Sequence, residues 1–144
     1  MAGERILLVE DNAQNRRLAE FLLKSRGYTV YEATTGQEAL ALARTLLPDL
    51  ILMDLQLPGM DGLTATQLLK ADDLTRQIPV IALTAFAMQG DRERALQAGC
   101  DAYIVKPIDT RNFAAAVSQY LRAAGGRREQ PGHGNRDEDP RCGR

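Results

Sequence analysis

Two cysteines, Cys100 and Cys142, and a single histidine, His133, are all that the 144 residues offer a soft metal. They lie too far apart for a zinc site, and two isolated thiols build no disulfide framework, so both are expected as free thiols in a reducing cytoplasm. Long apolar runs are missing as well. Pieces such as Ile6 to Val9 and Leu50 to Met53 fall far short of the roughly 18 residues that a membrane-spanning helix needs. No apolar segment of secretory type follows Met1, and the chain is expected to stay where it is made, in the cytoplasm. An excess of one charge is also lacking. With a formal net charge of -1 and no basic stripe, nothing draws the protein to a nucleic-acid backbone or an anionic membrane. What is present, 44% apolar and 26% charged residues, is the balance of a soluble globular protein with one core.

Residues 1–124 alternate short apolar runs with longer amphipathic stretches. From Gly125 the composition changes: residues 125–144 hold almost no large apolar side chain and cannot offset their ordering entropy by burial, so a disordered tail or linker is expected there. In the first part, five runs have strand character: Ile6–Val9, Tyr28–Tyr31, Leu50–Met53, Val80–Leu83 and Ala102–Val105. The first, third and fourth are apolar throughout, as strands buried on both faces should be. Between them, and after the last, helical patterns recur, for example Leu18, Phe21 and Leu22, or Phe113, Val117 and Leu121. Five alternations of strand and helix predict right-handed βαβ units and an α/β fold, a (βα)5 doubly wound parallel sheet. Pro48 and Pro79 punctuate the entries to the third and fourth strands, and Gly27 and Gly99 suit the ends of the preceding helices.

Ligands of an open α/β sheet bind outside the carboxyl ends of its strands. At those ends stand Glu10 and Asp11, Asp54, Thr84, and Lys106 followed by Pro107. Three carboxylates packed together repel one another unless a cation opposes them. Their donors are all oxygens, which selects Mg²⁺ or Mn²⁺ over zinc, and Mg²⁺ keeps room for waters and phosphate oxygens. Lys106 can pair with the carboxylates and then with a phosphoryl oxygen, and Thr84 can donate a hydrogen bond to another. One carboxylate is left as a nucleophile, as in aspartyl-phosphate chemistry. Asp54 fits best, because it ends the central strand with Glu10 and Asp11 on one side and Thr84 on the other.

Taken together, Glu10-Asp11, the segment from Met53-Asp54 through Gln56, Pro58-Gly59 and Asp61-Gly62, Leu83-Thr84-Ala85, and Lys106-Pro107 resemble the receiver domain of two-component response regulators over residues 5–123. Ala85–Met88 and Ala98–Asp101 look especially like receivers of hybrid kinases and single-domain regulators. The resemblance implies a flavodoxin-like strand order 2-1-3-4-5 and a signalling switch, not a conventional enzyme, that takes a phosphoryl group from phosphohistidine onto Asp54. It implies Mg²⁺ ligands from Asp11, Asp54 and the backbone carbonyl of Gln56, with Glu10 acting through water. Thr84 and Lys106 become phosphoryl ligands, Tyr103 the switch aromatic that follows Thr84, and Pro107 the site of a cis peptide. Gln56 and Phe86 border the path of the hydrolytic water. Implied partners are a histidine kinase or histidine phosphotransfer protein and a downstream protein target. The face of helix four, strand five and helix five, with Ala95, Tyr103 and Arg111, would meet that target or a second copy.

Plainer roles fit the remaining residues. Asp61-Gly62 and Pro58-Gly59 read as turn chemistry, His133 as a solvated residue, and Cys100 as a small buried side chain. A haloacid-dehalogenase-like phosphohydrolase would also use a strand-end Asp, a Thr and a Lys. It needs a second acid two residues after the nucleophile, where this chain has Gln56, which exchanges no protons at neutral pH. A flavodoxin-like electron carrier would have its phosphate repelled by Glu10-Asp11. A DNA-binding regulator would need an output domain, for which the residues after Ala124 are too few.

Overall fold

The apolar runs become strands and the amphipathic stretches become helices: β1 (Arg5–Val9), α1 (Ala13–Lys24), β2 (Thr29–Ala33), α2 (Gly36–Leu46), β3 (Leu50–Asp54), α3 (Gly62–Ala71), β4 (Val80–Thr84), α4 (Gln89–Ala98), β5 (Ala102–Val105) and α5 (Phe113–Glu129). This computed structural model describes residues 3–85, 89–106, 108 and 110–129. The chain divides into two compact units, residues 1–114 and 115–144.

In the first unit the five strands form one parallel sheet in the order β2-β1-β3-β4-β5, the expected doubly wound arrangement. Every residue of β3 and β4 is buried, because both faces of a central parallel strand are covered. The edge strand β2 is only partly buried and runs to Ala33, farther than its apolar run suggests, because each residue from Thr29 to Ala33 finds a partner on β1. Leu7, Val9, Ile51, Met53, Val80 and Ala82 line a core completed by small residues of α2 and α3, among them Ala39, Ala43 and Ala65. Each large aliphatic side chain removed from water contributes about 1.5–3 kcal/mol.

Several helix ends are written in the sequence. Asn12, Thr35 and Asp61 cap α1, α2 and α3, their side chains accepting from the N–H groups of Asn15, Glu38 and Thr64. Gly99 follows α4 with φ +109°, a conformation that favours glycine. At the end of α2, by contrast, Leu47 adopts φ +47°; Pro48 disfavours helical backbone at the residue before it, and no glycine is present there.

In the second unit the described residues continue α5 to Glu129. The boundary expected at Gly125 falls within that helix. Extending a formed helix across two glycines costs only about 1 kcal/mol each. The rest of the expected tail, residues 130–144, lies outside the described residues. No described helix is long and apolar enough to cross a membrane.

Candidate functional site

Because all five strands are parallel, their carboxyl ends share one edge, and the registers Val9 with Met53, Asp54 with Leu83 and Thr84 with Val105 align those ends. The chain leaves β1 through Glu10, whose N–H donates to the Ala33 carbonyl at 3.0 Å. Glu10 Oε2 accepts the Asn12 N–H at 3.2 Å. Since Asn12 caps α1, the carboxylate of Asp11 is not committed to the helix. Arg16 Nη1 donates to the Glu10 carbonyl at 3.0 Å and to the Asp11 carbonyl at 3.4 Å.

Asp54 is buried at the end of β3, with Oδ1 accepting the Gln56 N–H at 2.9 Å. The turn that follows is held close. A Cβ on Gly62 would stand 2.3 Å from the Asp54 carbonyl oxygen and 2.7 Å from Leu55 Cα, so only glycine allows α3 to start against the end of β3. From the other side, Lys106 N–H donates to the Thr84 carbonyl at 2.7 Å, joining the last residue of β4 to the residue just beyond β5. The Lys106 ammonium then reaches across the edge to Asp54 Oδ2 at 3.0 Å and Glu10 Oε1 at 2.9 Å. The second contact is an ion pair out of line for a hydrogen bond, leaving Glu10 Oε1 without a directed donor although it is buried.

Burial pushes the Glu10 carboxyl above the usual carboxylate range, and the hydrogen bond and charge of Asp54 push it further against the pull of Lys106. For Lys106, burial opposes the charge, but the adjacent carboxylates of Glu10 and Asp54 outweigh it and hold the ammonium above its usual value. Glu10, Asp11 and Asp54 each offer an oxygen, all within 4.8 Å of one another. An all-oxygen set with two buried carboxylates, one of whose oxygens is held by an ion pair alone, suits a hard divalent cation.

Glu10, Asp11, Asp54 and Lys106 are thus brought together, with Thr84 buried beside them at the end of β4. The Gln56 side chain is exposed while its N–H serves Asp54. Tyr103 lies apart from the carboxylates, half-buried on β5, with the Arg92 guanidinium 4.9 Å from its ring centroid. Pro107 and Phe86 lie outside the described residues. Cys100 is buried, its thiol pushed up by that burial. Two contributions escape sequence reasoning: the close approach at Gly62, which reads there as turn chemistry only, and Arg16. A glycine at the first turn of a helix was one available signal, and the i, i+4 spacing of Arg16 with Glu20 was another.

The family model described as "response regulator receiver domain" matches residues 6–118. The polar-differentiation response regulator DivK of Brucella anthropi is 52% identical over 116 residues, covering 81% of this chain and 94% of that protein. Among solved structures, the receiver domain of sensor histidine kinase PA1611 from Pseudomonas aeruginosa, with a magnesium ion coordinated in its active-site cleft, is 43% identical with a TM-score of 0.76, covering 87% of this chain and 99% of that one. A CheY-like receiver domain protein from Methanospirillum hungatei is 30% identical with a TM-score of 0.78, covering 87% and 98%. The sheet order, the strand-end carboxylates with their lysine, and these likenesses agree: the chain belongs to the response regulator receiver domains of two-component signalling.

Proposed function

We propose that Asp54 is the phosphoacceptor of this receiver. The observation that carries the reading is the buried carboxylate at the end of the central strand, fixed at one oxygen by the Gln56 N–H and paired at the other with Lys106 at 3.0 Å. An oxygen of Asp54 attacks phosphorus, the bond from phosphorus to the imidazole nitrogen of a partner's phosphohistidine breaks, and the imidazole leaves with the bonding pair and takes up a proton. Lys106 then follows the charge from the carboxylate to a phosphoryl oxygen, and the Thr84 hydroxyl donates to another. Asp11, Asp54 and the Gln56 carbonyl, with Glu10, are the groups that would hold Mg²⁺ or Mn²⁺, which when bound offsets the negative charge gathering there. The magnesium-bound PA1611 receiver supports that choice of metal.

The partners of this reading are a histidine kinase or histidine phosphotransfer protein upstream and a protein target downstream, met in the cytoplasm. Movement of Thr84 toward the phosphoryl group, followed by Tyr103, carries the signal. Water then attacks phosphorus, releasing inorganic phosphate and regenerating the Asp54 carboxylate, along a path that the family resemblance borders with the positions of Gln56 and Phe86. To test the reading, the protein is incubated with acetyl phosphate and Mg²⁺ and its mass followed. One base-labile phosphoryl group per chain is expected, lost in Asp54→Asn. An adduct that persists in Asp54→Asn, or continuous phosphate release without an adduct, rules out the assignment.

A further inference from the structure

Arg16 makes three contacts that no phosphoryl chemistry requires. Its Nη1 donates to the carbonyls of Glu10 and Asp11 at 3.0 and 3.4 Å, and its Nε stands 3.4 Å from Glu32 Oε1 on β2. We infer that Arg16 is a positioning residue: it fastens the Glu10–Asp11 loop from the α1 side and so sets where the Asp11 carboxylate meets a cation. The inference rests on the reading of Glu10, Asp11 and Asp54 as a metal site.

A planar guanidinium suits this task because it directs donors from two edges at once, which an ammonium on a flexible stem does not. Glu32 is itself held. It lies beside Glu20, and Glu20 Oε2 pairs with Lys24 Nζ at 2.8 Å. Arg16, Glu20 and Lys24 recur every four residues along one face of α1, so charges alternate in a line that ends at the loop. The loop is thereby tied to β2 twice, through the Glu10 N–H to the Ala33 carbonyl and through Arg16 to Glu32.

Two effects of Arg16 on cation binding oppose each other. Its charge repels a cation, but Glu32 offsets that charge and solvent reaches both side chains, which are 21% and 35% exposed, so the repulsion is screened. Its tether fixes the backbone that carries Asp11, and without it the ordering entropy falls on the binding step. Partners that orient metal ligands typically change affinity by about ten-fold or more when removed. The tether therefore outweighs the repulsion.

The test is a titration of the full chain with MgCl2, followed through amide resonances, for wild type, Arg16→Ala, Arg16→Lys and Glu32→Gln. Arg16→Ala is expected to weaken Mg²⁺ binding about ten-fold, with smaller losses in Arg16→Lys and Glu32→Gln. The Mg²⁺ concentration for half-maximal acetyl-phosphate labelling should rise in the same proportion, while labelling at saturating Mg²⁺ falls less. Equal or tighter binding in Arg16→Ala overturns the inference and leaves the metal site standing. Should Arg16→Ala fail to fold, unchanged affinity in both Arg16→Lys and Glu32→Gln overturns it. A wild type indifferent to Mg²⁺ overturns the inference and the metal site together.

Discussion

The ammonium of Lys106 lies 3.0 Å from Asp54 Oδ2, so the proposed phosphoacceptor is already paired with the cation that would receive the phosphoryl charge. The same ammonium serves Glu10 at 2.9 Å, and these two buried carboxylates depend on it whenever no metal is bound. Lys106→Ala should cost the metal-free protein about 1–3 kcal/mol, because two buried acceptors lose their charged partner. Chemical denaturation with and without MgCl2 checks this. The loss should shrink when Mg²⁺ is added, and labelling by acetyl phosphate should fall sharply. A variant as stable as wild type without Mg²⁺ would show that the pairing carries no weight.

Asp54→Asn should alter the titration of its neighbour. Burial and Asp54 together raise the Glu10 pKa, so the stability contributed by protonated Glu10 is complete below the unfolded-chain pKa and is lost as pH rises through the folded value. Removing the Asp54 charge lowers the folded value and frees Lys106 for Glu10. The carboxyl ¹³C titration of Glu10 in the metal-free variant should have a lower midpoint than in wild type, and the pH window of lost stability should narrow. An unchanged or higher midpoint contradicts the arrangement.

Millimolar Mg²⁺ should raise the melting temperature of the wild type, since a ligand that binds only the folded state stabilises it by mass action. Asp11→Ala should abolish most of that rise while folding normally, because Asp11 is exposed. Equal Mg²⁺ responses in the two proteins would remove Asp11 from the site.

Gly62→Ala tests the closeness of α3 to the end of β3. The added methyl meets the Asp54 carbonyl at 2.3 Å, which backbone must move to relieve. A loss of about 1–3 kcal/mol is expected, typical of overpacking, along with slower phosphoryl uptake as Asp54 shifts. Thermal melts and labelling rates read the two effects separately.

In the family that the chain resembles, the side chain two residues after Thr84, here Phe86, borders the water path, so an apolar residue at that position should make the proposed phosphorylated state comparatively long-lived. Phe86→Glu should shorten the phosphoryl half-life by orienting water, and Phe86→Ala by admitting it. If both decay at the wild-type rate or more slowly, Phe86 is no shield.

The amino-acid sequence alone determined the alternation of strand and helix, because fully buried parallel strands demand unbroken apolar runs and surface helices demand a 3.6-residue stripe. It also determined which residues stand at the strand ends, since that position follows from where each run stops. What it left open depends on contacts between segments distant in the chain. The pairing of Lys106 with Asp54 joins residues 52 positions apart and exists only because the β3-β4-β5 order brings those strand ends together. The link from Arg16 to Glu32 needs β2 beside β1. The requirement for glycine at 62 comes from the approach of α3 to the Asp54 carbonyl, and the left-handed Leu47 ends its helix without the glycine that would have marked it. Periodicity is a local property of the backbone, legible residue by residue, whereas distance across a sheet edge is fixed only when the strands take their order.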